Sequence, residues 1–212
     1  MIEFPFRDRL VSVQKIINSH SLDGILFVGL ENIRYLCGFT GSDGALIVTS
    51  KESFFLTDSR YWTQAEEEVK GSQIVHYKKK TDGIHAILSD LKVSKIGFES
   101  LTLPFFFYQS LSEKLAPQGT LIPLERELKN LRAINDAKEL ALIRKTIAIA
   151  SNAFSSTIEN VREGAFEREI ALEMEFLMKR SGAESLGFDI IFASGKRSAL
   201  PHGKAGAKRI EK

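Results

Sequence analysis

The sequence predicts an α/β fold with a mixed sheet over residues 1–129, followed by a second, α+β domain over residues 130–212. Three observations carry that prediction. Short apolar runs alternate with segments of helical period through the first part of the chain. Two of those runs are separated by Ser50-Lys51-Glu52, a hairpin length that puts an antiparallel pair among parallel crossovers. At Glu125-Arg126-Glu127-Leu128-Lys129 a charged stretch then gives way to a much longer helical pattern, which marks the boundary.

Between Asp8 and His20, Leu10, Val13 and Ile17 recur at the helical period, with Val11 and Ile16 widening the stripe. Ile25-Leu26-Phe27-Val28 is a continuous apolar run between turn residues, as a strand buried on both faces requires. A helical turn follows around Asn32–Leu36. Ala45–Thr49 and Ser53–Phe54–Phe55–Leu56–Thr57 form the hairpin, and Asp58 caps a helix over Tyr61–Val69. Glu66, Glu67 and Glu68 read as a solvated face, because successive helical positions point about 100° apart and cannot converge on one ion. Further strands are predicted at Gln73–Tyr77, Lys95–Phe98 and Thr120–Pro123. Helices are predicted at Ile84–Leu91 and Phe105–Leu115, with Pro104 in a first-turn position.

Past the boundary, Asp136 and Glu139 form a capping-box start. Leu140, Ile143, Ile147, Ala150, Phe154, Ile158 and Val161 then predict one long helix with a single buried stripe. A second helix over Phe166–Arg180 turns Phe166, Ile170, Met174 and Leu177 inward and ends at Gly182 in a left-handed cap. Met174 and Met178 read as core filler. Phe188–Ser194 is a strand, and a Gly-containing basic tail runs from Gly195 to Lys212.

At 212 residues, 43% apolar and 26% charged, the chain is globular and long enough to bury a core in each part. A net charge of +2 gives no overall reason to bind nucleic acid or a membrane surface. No apolar run approaches a membrane span, and Met1-Ile2-Glu3-Phe4-Pro5 lacks a signal-peptide pattern, so the cytoplasm is the expected compartment. Cys37 stands alone, which excludes an internal disulfide, and reads as a small packing residue.

Two stretches carry more than fold information. Asn32-Ile33-Arg34-Tyr35-Leu36-Cys37-Gly38-Phe39-Thr40-Gly41, with Leu56-Thr57-Asp58-Ser59-Arg60-Tyr61, resembles the creatinase-type N-terminal domain. Phe188-Asp189-Ile190-Ile191-Phe192-Ala193-Ser194-Gly195-Lys196-Arg197-Ser198-Ala199-Leu200-Pro201-His202-Gly203 resembles the opening of a pita-bread catalytic domain of the Xaa-Pro dipeptidase (prolidase) and aminopeptidase P type. The resemblance extends over nearly the whole chain. It implies a creatinase-like domain followed by an incomplete pita-bread domain.

The same resemblance implies a catalytic role for His202, whose family counterpart lies beside the metal site and contacts the substrate. An imidazole suits that role because it can donate to or accept from a scissile amide near neutral pH, and Pro201 and Gly203 would shape a tight turn that presents it. His20, His76 and His85 have no such context and read as surface or half-buried residues. Family members that are peptidases hold two divalent ions, manganese or cobalt, through two aspartates, a histidine and two glutamates. All five come after the region ending at Lys212, so no metal ligand and no peptide hydrolysis are expected of this chain alone, and the helices from Asp136 to Arg180 are expected to expose apolar surface because the sheet they should cover is mostly missing.

Asp189 lies off the family's ligand positions and reads as structural. Lys196, Arg197, Lys204, Lys208, Arg209 and Lys212 outnumber Glu211 in the tail, but no aromatic residue interleaves with them, so the run reads as a solvated edge rather than a nucleic-acid surface. The implied partners are a peptide with proline at its second position and a second copy of the chain in a homodimer. Two other readings stand beside the peptidase: a non-catalytic pita-bread scaffold for binding or dimerisation, and a creatinase-like amidinohydrolase that needs no metal and uses the corresponding histidine as acid and base.

Overall fold

The computed structural model describes residues 4–211. Residues 1–3, on which part of the signal-peptide reading rests, and Lys212 lie outside them. The chain divides into two compact units between Ile134 and Asn135. The charged stretch at 125–129, where composition placed the boundary, belongs to the first unit: Leu128 is buried in its core and Leu131 packs against it.

The first unit runs α1 (Phe6–Ser19), β1 (Gly24–Phe27), α2 (Leu30–Cys37), β2 (Ala45–Thr49), β3 (Ser53–Thr57), a 3-10 turn Ser59–Tyr61, α3 (Trp62–Glu68), β4 (Gln73–His76), α4 (Lys80–Asp90), β5 (Lys95–Glu99), α5 (Phe105–Leu115), β6 (Thr120–Leu124) and α6 (Arg126–Asn130). Its six-stranded sheet has the order β4-β3-β2-β1-β5-β6. The β2–β3 hairpin and the β1–β2 pair are antiparallel, while β1–β5, β3–β4 and β5–β6 are parallel. The mixed sheet inferred from the short Ser50–Glu52 connection is therefore present.

The period-2 alternation of strand side chains sorts the core into two layers. Ile25, Phe27, Leu46, Val48 and Phe55 pack on one side with Leu10, Val13 and Ile17 of α1 and Ile33 and Leu36 of α2. Leu26, Ala45, Ile47, Phe54 and Leu56 pack on the other with Ile84 and Leu88 of α4 and Leu111 and Leu115 of α5. Burial on both faces is why β1, β2 and β3 read as unbroken apolar runs. Pro123 is tolerated in β6 because that strand is the sheet's edge.

One local expectation changes here. Glu68 does not simply face solvent: its carboxylate accepts from the Thr40 N–H at 2.7 Å, the Thr40 hydroxyl at 2.8 Å and the Gln64 amide at 3.0 Å, tying α3 to the loop after α2.

The second unit contains α7 (Ala137–Ile158), α8 (Glu167–Arg180) and a 3-10 turn Gly195–Ala199. The capping box at α7 forms as read, with Asp136 accepting from the Lys138 and Glu139 N–H groups and the Glu139 carboxylate accepting from the Asp136 N–H. Gly182 takes φ +96° after α8. The apolar stripe of α7 is not buried along its length: Leu140, Ile143, Ile147, Phe154 and Ile158 are exposed, as expected of helices whose covering sheet is mostly missing, while α7 packs on α8 and has Ala153 and Thr157 as its buried residues. Nor is Phe188–Ser194 a strand. It pairs through an isolated antiparallel bridge, Ile191 with Lys204, and Phe188 is 78% exposed. An apolar run becomes a strand only where a neighbouring strand takes up its N–H and C=O groups, and Lys204 is the one bridge partner described for this run.

Candidate active site

The segment from Ser194 to Gly206 holds the chemistry that the sequence singled out. After the 3-10 turn, Leu200-Pro201-His202-Gly203 closes as a β-turn, with the Gly203 N–H donating to the Leu200 carbonyl at 3.1 Å. Proline fixes φ at the second position of such a turn. Among non-glycine residues positive φ occurs at Ser21 and Lys92, so His202 sits in an ordinary conformation and the turn is not of the type that needs glycine there. Gly203 is needed for a different reason: a Cβ there would stand 3.1 Å from the Ala193 Cβ and 3.4 Å from the Leu200 carbonyl oxygen. Gly203 is buried and His202 is exposed. The fixed turn thus presents the imidazole outward.

The other histidines lie in the first unit. His20 is hydrogen bonded with the Ser19 hydroxyl at 3.0 Å and stands 3.4 Å from Glu127. His76 stacks on Trp62 with ring centroids 3.6 Å apart, a pairing the sequence did not signal. His85 meets the Ser89 hydroxyl at 3.3 Å.

In the basic tail Lys196, Lys204 and Arg209 are exposed, as read for a solvated edge, while Arg197 and Lys208 are half-buried, and several of these cations have partners. Arg197 pairs with Glu167 and also donates to the Lys204 carbonyl at 2.8 Å. Lys208 donates to the Ser194 carbonyl at 3.0 Å. Arg209 donates to the Gly164 carbonyl at 2.6 Å and lies 4.0 Å over the Phe166 ring. Lys204 pairs with Asp189 at 2.7 Å on the surface, and this hydrogen bond and charge hold the Asp189 carboxyl below its ordinary value.

Glu167, the first residue of α8, is the group that sequence reasoning missed. Its side chain is fully buried. Oε1 accepts from the Ser194 N–H at 2.8 Å and the Ser194 hydroxyl at 2.9 Å, while Oε2 accepts from the Arg197 guanidinium and, at 3.4 Å, from the Gly206 N–H. Burial pushes this carboxyl upward, but the Ser194, Gly206 and Arg197 donors outweigh it and keep the group below its ordinary value. One signal could have found it: Glu167 falls three residues before Ile170, on the inward stripe of its own helix.

Comparison with known proteins places both units. Residues 9–134 match the Creatinase/Prolidase N-terminal domain, and residues 141–212 match Metallopeptidase family M24. An Xaa-Pro dipeptidase of Pyrococcus horikoshii is 34% identical over 97% of this chain and 57% of its own length. The structure of an Xaa-Pro dipeptidase from Bacillus anthracis superposes with a TM-score of 0.91 at 34% identity, over 97% of this chain and 58% of that one. An X-Pro aminopeptidase from Thermotoga maritima gives 0.85 at 31% identity, over 94% and 57%. The chain thus spans less than two thirds of the length of these relatives.

Membership of a metallopeptidase family implies divalent metal, and the residues present can be tested against it. Among the described residues no three His, Cys, Asp or Glu side chains converge as a metal centre would require. The Glu167 carboxylate is filled by protein donors and Asp189 is taken by Lys204. These residues do not fit a metal centre, so what the second unit contributes is the shaped turn at His202 and its support. From the matched domains, the superposition and the mixed sheet, the chain belongs to the creatinase/prolidase family, with the N-terminal domain of that family followed by residues of a family M24 metallopeptidase domain.

Proposed function

We propose that the whole protein is a metal-dependent peptidase that hydrolyses Xaa-Pro bonds, and that this chain supplies His202 as a catalytic residue contacting the substrate. The observation that carries the reading is the Leu200–Gly203 turn, closed at 3.1 Å and presenting an exposed imidazole on a fixed backbone. The substrate class follows from the Xaa-Pro dipeptidases and aminopeptidase that the chain resembles along nearly all of its length. A neutral imidazole can donate from one ring nitrogen and accept at the other, so His202 is suited to orient the scissile amide or move a proton at it. The divalent metals, manganese or cobalt, would be held by side chains other than those described here and would supply water activation and carbonyl polarisation. In this reading the protein works in the cytoplasm as a homodimer.

The test uses a protein that carries residues 1–212 and extends to the length of these relatives. It is assayed with manganese or cobalt on Xaa-Pro dipeptides and on longer peptides with proline second. Hydrolysis should appear, and His202→Ala should lower kcat/KM about a hundredfold or more with bound metal unchanged. Full activity in H202A, or no cleavage of either peptide class by the parent protein, would sink the assignment.

A further inference from the structure

The stretch that carries His202 has little apolar material to hold it in place. Leu200 is exposed, Gly203 is its buried member, and the one bridge described for its backbone is Ile191 with Lys204. The 3-10 turn at its start supplies only short-range hydrogen bonds, which do not tie it to the rest of the unit. Its position must therefore come from polar contacts, and three of these meet at one buried carboxylate. Glu167 receives Ser194 from the start of the stretch, Gly206 from its end and Arg197 from within it.

From Arg197 the connection reaches the turn directly. The Arg197 carbonyl accepts from the Leu200 N–H at 3.0 Å, and the Arg197 guanidinium accepts nothing but donates to the Lys204 carbonyl at 2.8 Å, just past Gly203. A Cβ on Gly203 would stand 3.5 Å from the Arg197 carbonyl oxygen, so the turn rests on that backbone. Two ties bypass Glu167: Lys204 to Asp189, which is exposed on both sides and screened by water and salt, and Lys208 to the Ser194 carbonyl at 3.0 Å, which holds one end of the stretch and does not reach the turn. Glu167 itself is fixed from below. Its N–H donates to the Lys208 carbonyl at 3.0 Å, the Arg168 N–H donates to the Gly206 carbonyl at 3.1 Å, and Phe166 bridges to Arg209.

We infer that Glu167 is a positioning residue for His202: its buried carboxylate clamps Ser194, Arg197 and Gly206 and so sets where the Leu200–Gly203 turn stands. The inference builds on the catalytic reading of His202, but its first test does not need activity. In the 212-residue chain, Glu167→Gln keeps the shape of the side chain and removes the charge that Arg197 requires. Amide hydrogen exchange within 194–206 should rise about tenfold or more, while the interior amides of α8 stay within about twofold of the parent. Equal acceleration through both segments would make Glu167 a general fold residue, and no acceleration would remove the clamp; either result overturns the inference.

If E167Q fails to fold, Arg197→Met at its half-exposed position and Ser194→Ala carry the same measurement, with the same segment-specific rise expected and its absence equally decisive. The second test belongs to the longer protein. There E167Q should lower kcat/KM on an Xaa-Pro dipeptide, and E167Q combined with H202A should be no slower than H202A alone, since a residue acting through His202 has nothing left to act on. Additive losses would overturn the positioning role even where H202A itself confirms the catalytic one.

Discussion

Apolar side chains crowd both faces of the sheet in the first unit, from Leu10 of α1 to Leu128 of α6. After residue 134 the buried apolar side chains among the described residues are Ala153 and Ile170, whereas Leu140, Ile143, Ile147, Phe154, Ile158, Leu172 and Phe176 are exposed. What is most deeply placed in the second unit is a charge, Glu167, with its donors around it. The contrast teaches where each unit is vulnerable. Stability that comes from buried area responds to the volume of core side chains and little to pH. Stability that comes from a buried ion pair responds to the ionisation of one group and to the loss of either partner.

The largest effect should come from cutting into the first unit. Phe55 is 0% exposed, and its ring centroid is 4.5 Å from that of Phe39. Phe55→Ala should cost about 3–5 kcal/mol through lost burial and the cavity left behind. Cys37 gives a clean reporter because it lies in the same core layer, where burial pushes its thiol up to about 12 and suppresses the thiolate. Labelling of Cys37 by a thiol reagent should be nearly blocked in the parent chain and faster in F55A by a factor on the order of a hundred or more. Equal labelling rates would break the picture of a core-held first unit.

A smaller effect, confined to the second unit, should follow from acid. The folded Glu167 carboxyl titrates below its ordinary value, so its stabilisation is present in full above the unfolded-state value of about 4.3 and is lost as pH falls through the lower folded value. The lowered carboxyls of the first unit, Asp23, Asp58, Asp82 and Glu127, are exposed or half-buried, where such shifts translate into little stability. On lowering the pH from 6 to about 3, amide protection within 194–206 should therefore be lost before that of the sheet and of the interior of α8. In E167Q the protection of that stretch should be low already at pH 6 and change little with acid. Simultaneous loss of the 194–206 stretch and the sheet in the parent chain would show that the buried charge does not hold that stretch.

How far these features could be read from sequence depended on how local they are. The β2–β3 hairpin, the Asp136 capping box, the Gly182 cap and the Leu200–Gly203 turn are each written within a few consecutive residues, and each forms as read. The Glu167 cluster joins residues 27, 30 and 39 positions apart, and a glutamate beside Arg168 and Glu169 looks like any charged helix start. Glu68 escaped notice for the same reason, since its partner Thr40 lies 28 positions away. The α7 stripe and the 188–194 run show the opposite limit. Periodicity reports that a face is apolar but carries no information about what covers it, and a strand-like composition does not supply a partner strand.

The smallest effect tests that last point. Phe154 sits on the α7 stripe and is 52% exposed, so Phe154→Ala should change the stability of the 212-residue chain by no more than about 0.5 kcal/mol, in line with surface substitutions away from caps and ion pairs. Set beside F55A, the same chemical truncation should then differ several-fold in cost between the units. Urea unfolding at two protein concentrations separates the reasons a different result could arise. A cost of about 3 kcal/mol or more that grows with concentration would mean that the stripe is covered by a second copy of the chain, because burial gained on association is lost on dilution. The same cost independent of concentration would place the stripe inside the second unit and overturn the exposed face of α7. A small cost leaves the stripe as solvent-facing apolar surface, so that what holds the 194–206 stretch is the Glu167 carboxylate and not the apolar face of the long helix.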